Sequence, residues 1–317
     1  MTPFPETPGR ALSRRAALRL FSLPADIAAC GLSANAAWSQ TLLMAKATAA
    51  AKVPRIVSVS GAMTEILYAL GAGSQLVGTD TTSVYPPAAL QTPKVGYMRQ
   101  LSAEGVLSLK PDTVIGTTES GPSVVMDQLR GAGVKVELVE SDHSWAEVQR
   151  KVAAVGRAAG RGVQVEALQA RLDAEWADVQ AAVARQSGRK LRAIFILSHA
   201  ASPQVAGDKT AAHAMLGYAG LVNAFALGGQ GSAFAGYRPM TAEALVAAAP
   251  DLIVTTTQGL EASGGLDKFW SRPGLKLTPA YRRRALVALD ALYLIGFGSR
   301  LPQAVAELHR TSLRGFS

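Results

Sequence analysis

The sequence predicts an α/β fold built as two similar lobes joined by a long helix, and three observations carry that prediction. From Arg55 onward, short β-branched runs alternate with Ala- and Leu-rich segments of helical period. A block of the first half recurs in the second half at a fixed offset of 139 residues. Between the halves, from about Trp145 to Arg185, there is no proline, and only Gly156, Gly160 and Gly162 are weak points for a helix.

Taken in order, residues 55–59 read as a strand, 63–70 as a helix stopped by Gly71, and 76–79 as a second strand. A helix over 102–109, a strand over 113–115, a helix over 122–130 and a strand over 134–139 follow. The stretch from about 145 to 185 reads as long helix, in one piece or two. After Ser187-Gly188 the pattern starts again with a strand over 192–197.

The recurrence is visible in the residues. Leu101-Ser102-Ala103-Glu104-Gly105-Val106, followed by Pro111-Asp112-Thr113-Val114-Ile115, matches Met240-Thr241-Ala242-Glu243-Ala244-Leu245, followed by Pro250-Asp251-Leu252-Ile253-Val254. Thr117-Thr118 likewise answers Thr256-Thr257, and Gly96-Tyr97 answers Gly236-Tyr237 one residue out of step. Shared helix propensity does not produce a nearly gapless match at one offset. It points to two Rossmann-like lobes of one ancestral plan, an N-terminal lobe over 53–140 and a C-terminal lobe over 189–317, joined by a connecting helix over 141–188. The two Gly-Tyr loops would then hold equivalent places, each leading into a helix, at the mouth of a ligand cleft between the lobes.

Composition narrows the function. With 317 residues, 49% of them hydrophobic, the chain can bury a full core. No uninterrupted apolar run reaches the roughly 18 residues that span a bilayer. The net charge of +9 suits an anionic ligand. The basic residues are scattered, however, and only Arg282-Arg283-Arg284 form a run, which argues against nucleic acid. Cys30 is the single cysteine, so an intrachain disulfide and a tetrathiolate metal site are both excluded.

The first 36 residues read as an export address: Ser13-Arg14-Arg15, a weakly apolar stretch, and a small-x-small site at Ala34-Asn35-Ala36. This is a twin-arginine-like signal with cleavage near Ala36. Ile27-Ala28-Ala29 before Cys30 also looks like a lipobox, so anchoring through an acylated Cys30 stays open beside cleavage. An uncleaved or misassigned start is the third alternative. Residues 37–52 read as a tether, and either of the first two readings places the protein outside the cytoplasmic membrane.

No Gly-x-Ser-x-Gly, His-Glu-x-x-His, Walker loop or Gly-x-Gly-x-x-Gly is present, and a non-enzymatic role is expected. His143, His213 and His309 fall on separate elements without metal-ligand spacing and read as structural.

At Gly96-Tyr97-Met98-Arg99, with Leu101 to Gly105 and Gly236-Tyr237-Arg238-Pro239, the sequence resembles the periplasmic haem-binding proteins of bacterial haem ABC importers. These belong to the helical-backbone class that also carries cobalamin and siderophores. The resemblance covers about residues 53–316. It implies a monomeric carrier that receives ferric haem, in some systems from an outer-membrane haem uptake system, and hands it to the membrane subunits of an ABC importer.

On that resemblance Tyr97 is the expected iron ligand, since a phenolate suits hard ferric iron. Arg99 would favour the phenolate through its charge. Arg238 would pair with a propionate, and Tyr237 would stack on the porphyrin or support the wall. His199, just after the strand over 192–197, is the candidate second ligand or the ligand of a second haem. Glu104 and Glu243 would dock onto basic pockets of the membrane subunits, although helix capping explains either acid singly. A siderophore or cobalamin carrier is the alternative within the class. An exported haem enzyme would have only Arg99 and His199 as acid-base candidates.

Overall fold

A computed structural model describes residues 52–198, 202–226 and 233–314. The expected export segment with Cys30, nearly all of the tether, and His199 lie outside the described residues. Residues from Val53 onward form one compact unit.

In the first lobe the order is β1 (Ile56–Ser58), α1 (Gly61–Ala69), β2 (Leu76–Thr79), α2 (Ala103–Leu107), β3 (Thr113–Thr117), α3 (Ser123–Gly131) and β4 (Lys135–Val139). The four strands form an all-parallel sheet in the order β2-β1-β3-β4. β1 and β3 are buried at every residue, as central strands covered by helices on both faces must be, and for this reason they read as β-branched runs rather than alternating ones.

The connection is two helices, α4 (Trp145–Ala159) and α5 (Gly162–Ala184). Gly160 adopts φ +65° and ends α4, a conformation that glycine takes without the steric cost a Cβ brings. Both helices serve both lobes. Val148 of α4 and Val179 of α5 belong to the core of the second lobe, whereas Val152, Val155, Leu168 and Leu172 belong to the core of the first.

In the second lobe the order is β5 (Arg192–Leu197), β6 (Gln204–Ala206), α6 (Ala211–Tyr218), β7 (Val222–Asn223), β8 (Tyr237–Pro239), α7 (Ala242–Ala248), β9 (Leu252–Thr256), α8 (Thr257–Ala262), α9 (Leu266–Trp270), α10 (Pro279–Arg282), β10 (Leu286–Leu289), α11 (Ala291–Ile295) and α12 (Leu301–Leu313). The sheet runs β10-β9-β5-β6-β8, with β7 parallel beside β5. The repeat holds at the level of elements: α2 and α7 start at Ala103 and Ala242, and β3 and β9 start at Thr113 and Leu252. Ser102 and Thr241 cap the two helices alike, each side-chain oxygen accepting the N–H three residues on. The lobes part company at β6 and β8, which pair antiparallel, so Tyr237 opens a strand where Tyr97 sits in a turn.

Two buried ionic ties join the lobes at residues 296–300. The Glu65 carboxylate of α1 accepts from Ser299 Oγ (2.7 Å), Arg300 N (3.0 Å) and Arg300 Nε (2.8 Å). Lys151 of α4 pairs with Glu147 at 2.6 Å and donates to the carbonyls of Gly296 (3.3 Å) and Phe297 (3.0 Å). The Arg300 guanidinium also lies 3.6 Å from the Tyr85 ring centroid.

Candidate functional site

Between the lobes lies a cleft of about 590 Å³, within the roughly 300–1,000 Å³ typical of small-molecule and cofactor sites. Both Gly-Tyr loops reach it, the first through Met98 and Arg99, the second through Gly236 and Tyr237. Apolar wall comes from Ala62 and Val84 on one side and Leu292, Ile295 and Phe297 on the other.

Each loop turns on a glycine in the left-handed region, Gly96 at φ +102° and Gly236 at φ +77°. Gly96 O accepts from Thr81 N, Tyr97 O from Gln100 N, and Met98 O from Gly121 N, so the first loop is pinned on three sides. Tyr97 is 42% exposed, and it is its neighbours that line the cleft rather than Tyr97 itself. Arg99 is engaged by Glu119 at 2.9 Å, an acid from the turn after β3 that no motif or spacing singles out. Burial pushes the Tyr237 phenol up to about 12; Glu119 adds to that shift and Arg99 opposes it. The Arg99–Glu119 pair of one lobe is therefore felt at the Tyr237 hydroxyl of the other.

Arg238 lies on β8 with its guanidinium 4.7 Å from the Phe234 ring centroid, and it is not among the cleft-lining residues. Glu104 and Glu243 are exposed in the first turns of α2 and α7, and neither lines the cleft. Glu104 borders a separate shallow depression with Ser102, Leu107 and Gln128.

The imidazole that the described cleft presents is His143. His143 sits at φ +57° in the turn before α4, its backbone N–H donates to Glu147 Oε2 at 2.6 Å, and its ring lies 5.4 Å from that of Phe297. Desolvation pushes the Lys151 ammonium below it down, against the attraction of Glu147. His213 is beside Asp208 at 3.5 Å, and His309 Nδ1 donates to Ala219 O at 3.0 Å. Among the described residues no three or more His, Cys, Asp or Glu side chains converge on a metal position. No helix among them is long and apolar enough to cross a membrane.

A family model described as periplasmic binding protein matches residues 56–293. YvrC of Bacillus subtilis (strain 168), named an uncharacterized ABC transporter substrate-binding lipoprotein, is 31% identical over 257 residues, 80% of this chain and 78% of that protein. The vitamin B12-binding protein of Vibrio vulnificus (strain CMCP6) is 33% identical over 98 residues, and the match spans only 36% of that protein. Among solved structures, the periplasmic heme-binding protein BhuT in complex with two hemes is 42% identical with a TM-score of 0.78, over 83% of this chain and 99% of that one. RhuT from Roseiflexus sp. RS-1, a periplasmic heme-binding protein in apo form, is 38% identical with a TM-score of 0.78, over 83% of this chain and 98% of that one. The two-lobed architecture, the shared cleft and the match over 56–293 together make this chain a member of the periplasmic binding protein family.

Proposed function

We propose that this chain is an extracytoplasmic substrate-binding protein that takes ferric haem into the cleft between its lobes, with Tyr97 as iron ligand, and delivers it to an ABC importer. The observation that carries the reading is the convergence of two equivalent Gly-Tyr loops on one apolar-walled cleft that also holds Arg99. A flat apolar macrocycle suits walls of Val84, Met98, Leu292 and Phe297. Similarity to heme-binding proteins along most of the chain supports the same ligand. Tyr97 is accessible for ligation, and Tyr237, a half-buried phenol that partial burial keeps neutral, serves as wall. Arg238 would reach a ligand carboxylate only by leaving Phe234. Exposure of Glu104 and Glu243 in equivalent first turns, away from the cleft, supports their role as docking points for the importer's membrane subunits.

Cobalamin is the second reading, favoured by the vitamin B12-binding match. Titration of the purified chain with hemin and, separately, cyanocobalamin tests both. Charge-transfer absorption of a ferric tyrosinate complex, with a stoichiometry of one or two, supports haem. Saturable cobalamin binding with no hemin complex would replace it.

A further inference from the structure

Three cationic side chains, Arg99, Lys151 and Lys209, line the cleft. Two are already answered, Arg99 by Glu119 and Lys151 by the buried Glu147. Lys209 is exposed and forms no ion pair among the described residues. Its neighbour Asp208 is turned to His213 instead. Lys209 is therefore the cleft-lining cation without an ion-pair partner among the described residues, while the acid on the same lobe's wall, Asp290, is occupied by Gln258 Nε2 at 2.6 Å and Tyr293 N at 2.9 Å.

The backbone fixes where the Lys209 side chain leaves the wall. Lys209 has φ +57°, a region that a side chain with a Cβ enters only when its surroundings impose it. Here they do. Gly207 N donates to Gly236 O, Asp208 N to Phe234 O and Gly236 N to Asp208 O, so the turn bearing Lys209 is laced to the loop bearing Tyr237. On the far side Thr210 caps α6, accepting from His213 N at 3.0 Å while its hydroxyl donates to Gly207 O at 2.9 Å. Lys209 and Tyr237 thus belong to one rigid frame. A ligand lying against Tyr237 would bring an acidic edge group within reach of a lysine whose backbone is fixed in the same frame.

Resting on the haem reading of this cleft, we propose that Lys209 is the carboxylate anchor of the second lobe and takes a propionate of the bound porphyrin. A carboxylate there completes a lone charge without displacing an existing partner, whereas one taken by Arg99 must compete with Glu119, and one taken by Arg238 must draw it off Phe234.

The test is a substitution combined with a ligand whose carboxylates are masked. Lys209→Gly removes the charge and suits the left-handed backbone; Lys209→Arg keeps the charge. Affinity for ferric protoporphyrin IX and for its dimethyl ester is measured in the same detergent for wild type and both variants, with thermal melting alongside. The expected result is about a three- to tenfold loss of affinity for the free acid in Lys209→Gly, as for a partly exposed charged contact. The ester should bind wild type and Lys209→Gly within about twofold, and Lys209→Arg should follow wild type. Equal free-acid affinity in wild type and Lys209→Gly overturns the anchor while leaving the haem reading intact. Parallel losses for acid and ester also overturn it, in favour of a backbone role for the turn. Failure of wild type to bind either porphyrin overturns the anchor and the haem reading together.

Discussion

Two tyrosines flank the cleft, and the environment of one of them decides which can reach iron as a phenolate. The Tyr237 phenol is raised to about 12 from the usual 10.0, chiefly by burial and further by Glu119. Two pK units make its phenolate about 100-fold rarer at any lower pH, a handicap of about 3 kcal/mol in forming the ligand. Tyr97 is 42% exposed and its loop presents Arg99 to the same cleft. Tyr97→Phe should therefore abolish the tyrosinate-to-iron charge-transfer bands of the ferric complex and weaken binding. Tyr237→Phe should retain those bands, with any change confined to affinity. Absorption spectra of hemin-loaded wild type and both variants at one pH decide the matter. Loss of the bands in Tyr237→Phe with retention in Tyr97→Phe would refute the assignment and the burial argument behind it.

Four further outcomes are expected. Arg99→Leu should move the pH midpoint for forming the tyrosinate complex upward, because it deletes a cation and leaves Glu119 uncompensated, and a pH titration of the bound spectrum reads this directly. Because a folded-state phenol near 12 stays protonated where an unfolded one ionises, Tyr237 contributes stability that is lost as pH rises from about 10 to about 12. Denaturant melts across that window should fall less steeply in Tyr237→Phe than in wild type. Glu65→Ala strands the Arg300 guanidinium at the lobe junction and should cost about 3–5 kcal/mol of unfolding free energy, measurable in urea. Glu104→Ala combined with Glu243→Ala should bind haem normally yet fail to stimulate ATP hydrolysis by the importer in proteoliposomes; normal stimulation would make both acids helix caps only.

What was legible in the sequence is what regular structure and repetition impose. The blocks matched at the fixed offset prove to be equivalent elements, helices that start at Ala103 and Ala242 and strands that start at Thr113 and Leu252, because helix caps and buried parallel strands leave residue-type signatures. The two Gly-Tyr pairs were visible as well, one residue out of step, and both glycines take the left-handed region. The electrostatic partners were not legible. Glu119, His143 and Lys209 sit in turns, where no periodicity marks a side chain's direction, and two of the three are at positive φ, which nothing about His or Lys announces. The short β6–β8 pair escaped for a related reason: three residues to a strand are too few to show a period. The helical run over 145–185, legible as one piece or two, is two because Gly160, one of its three weak points, takes up the left-handed conformation.

The sharing of α4 and α5 between the two cores bears on how the molecule folds. Val148 and Val179 fill the second lobe while Val152 and Leu172 fill the first, so neither repeat owns a complete hydrophobic interior. A gene cut near residue 188 would give one fragment with an apolar helix face and nothing to cover it, and another with an open core. The repeated plan thus does not amount to two autonomous modules. The lobes should melt as one cooperative transition, with a denaturant slope set by the surface of the whole body from Val53 onward.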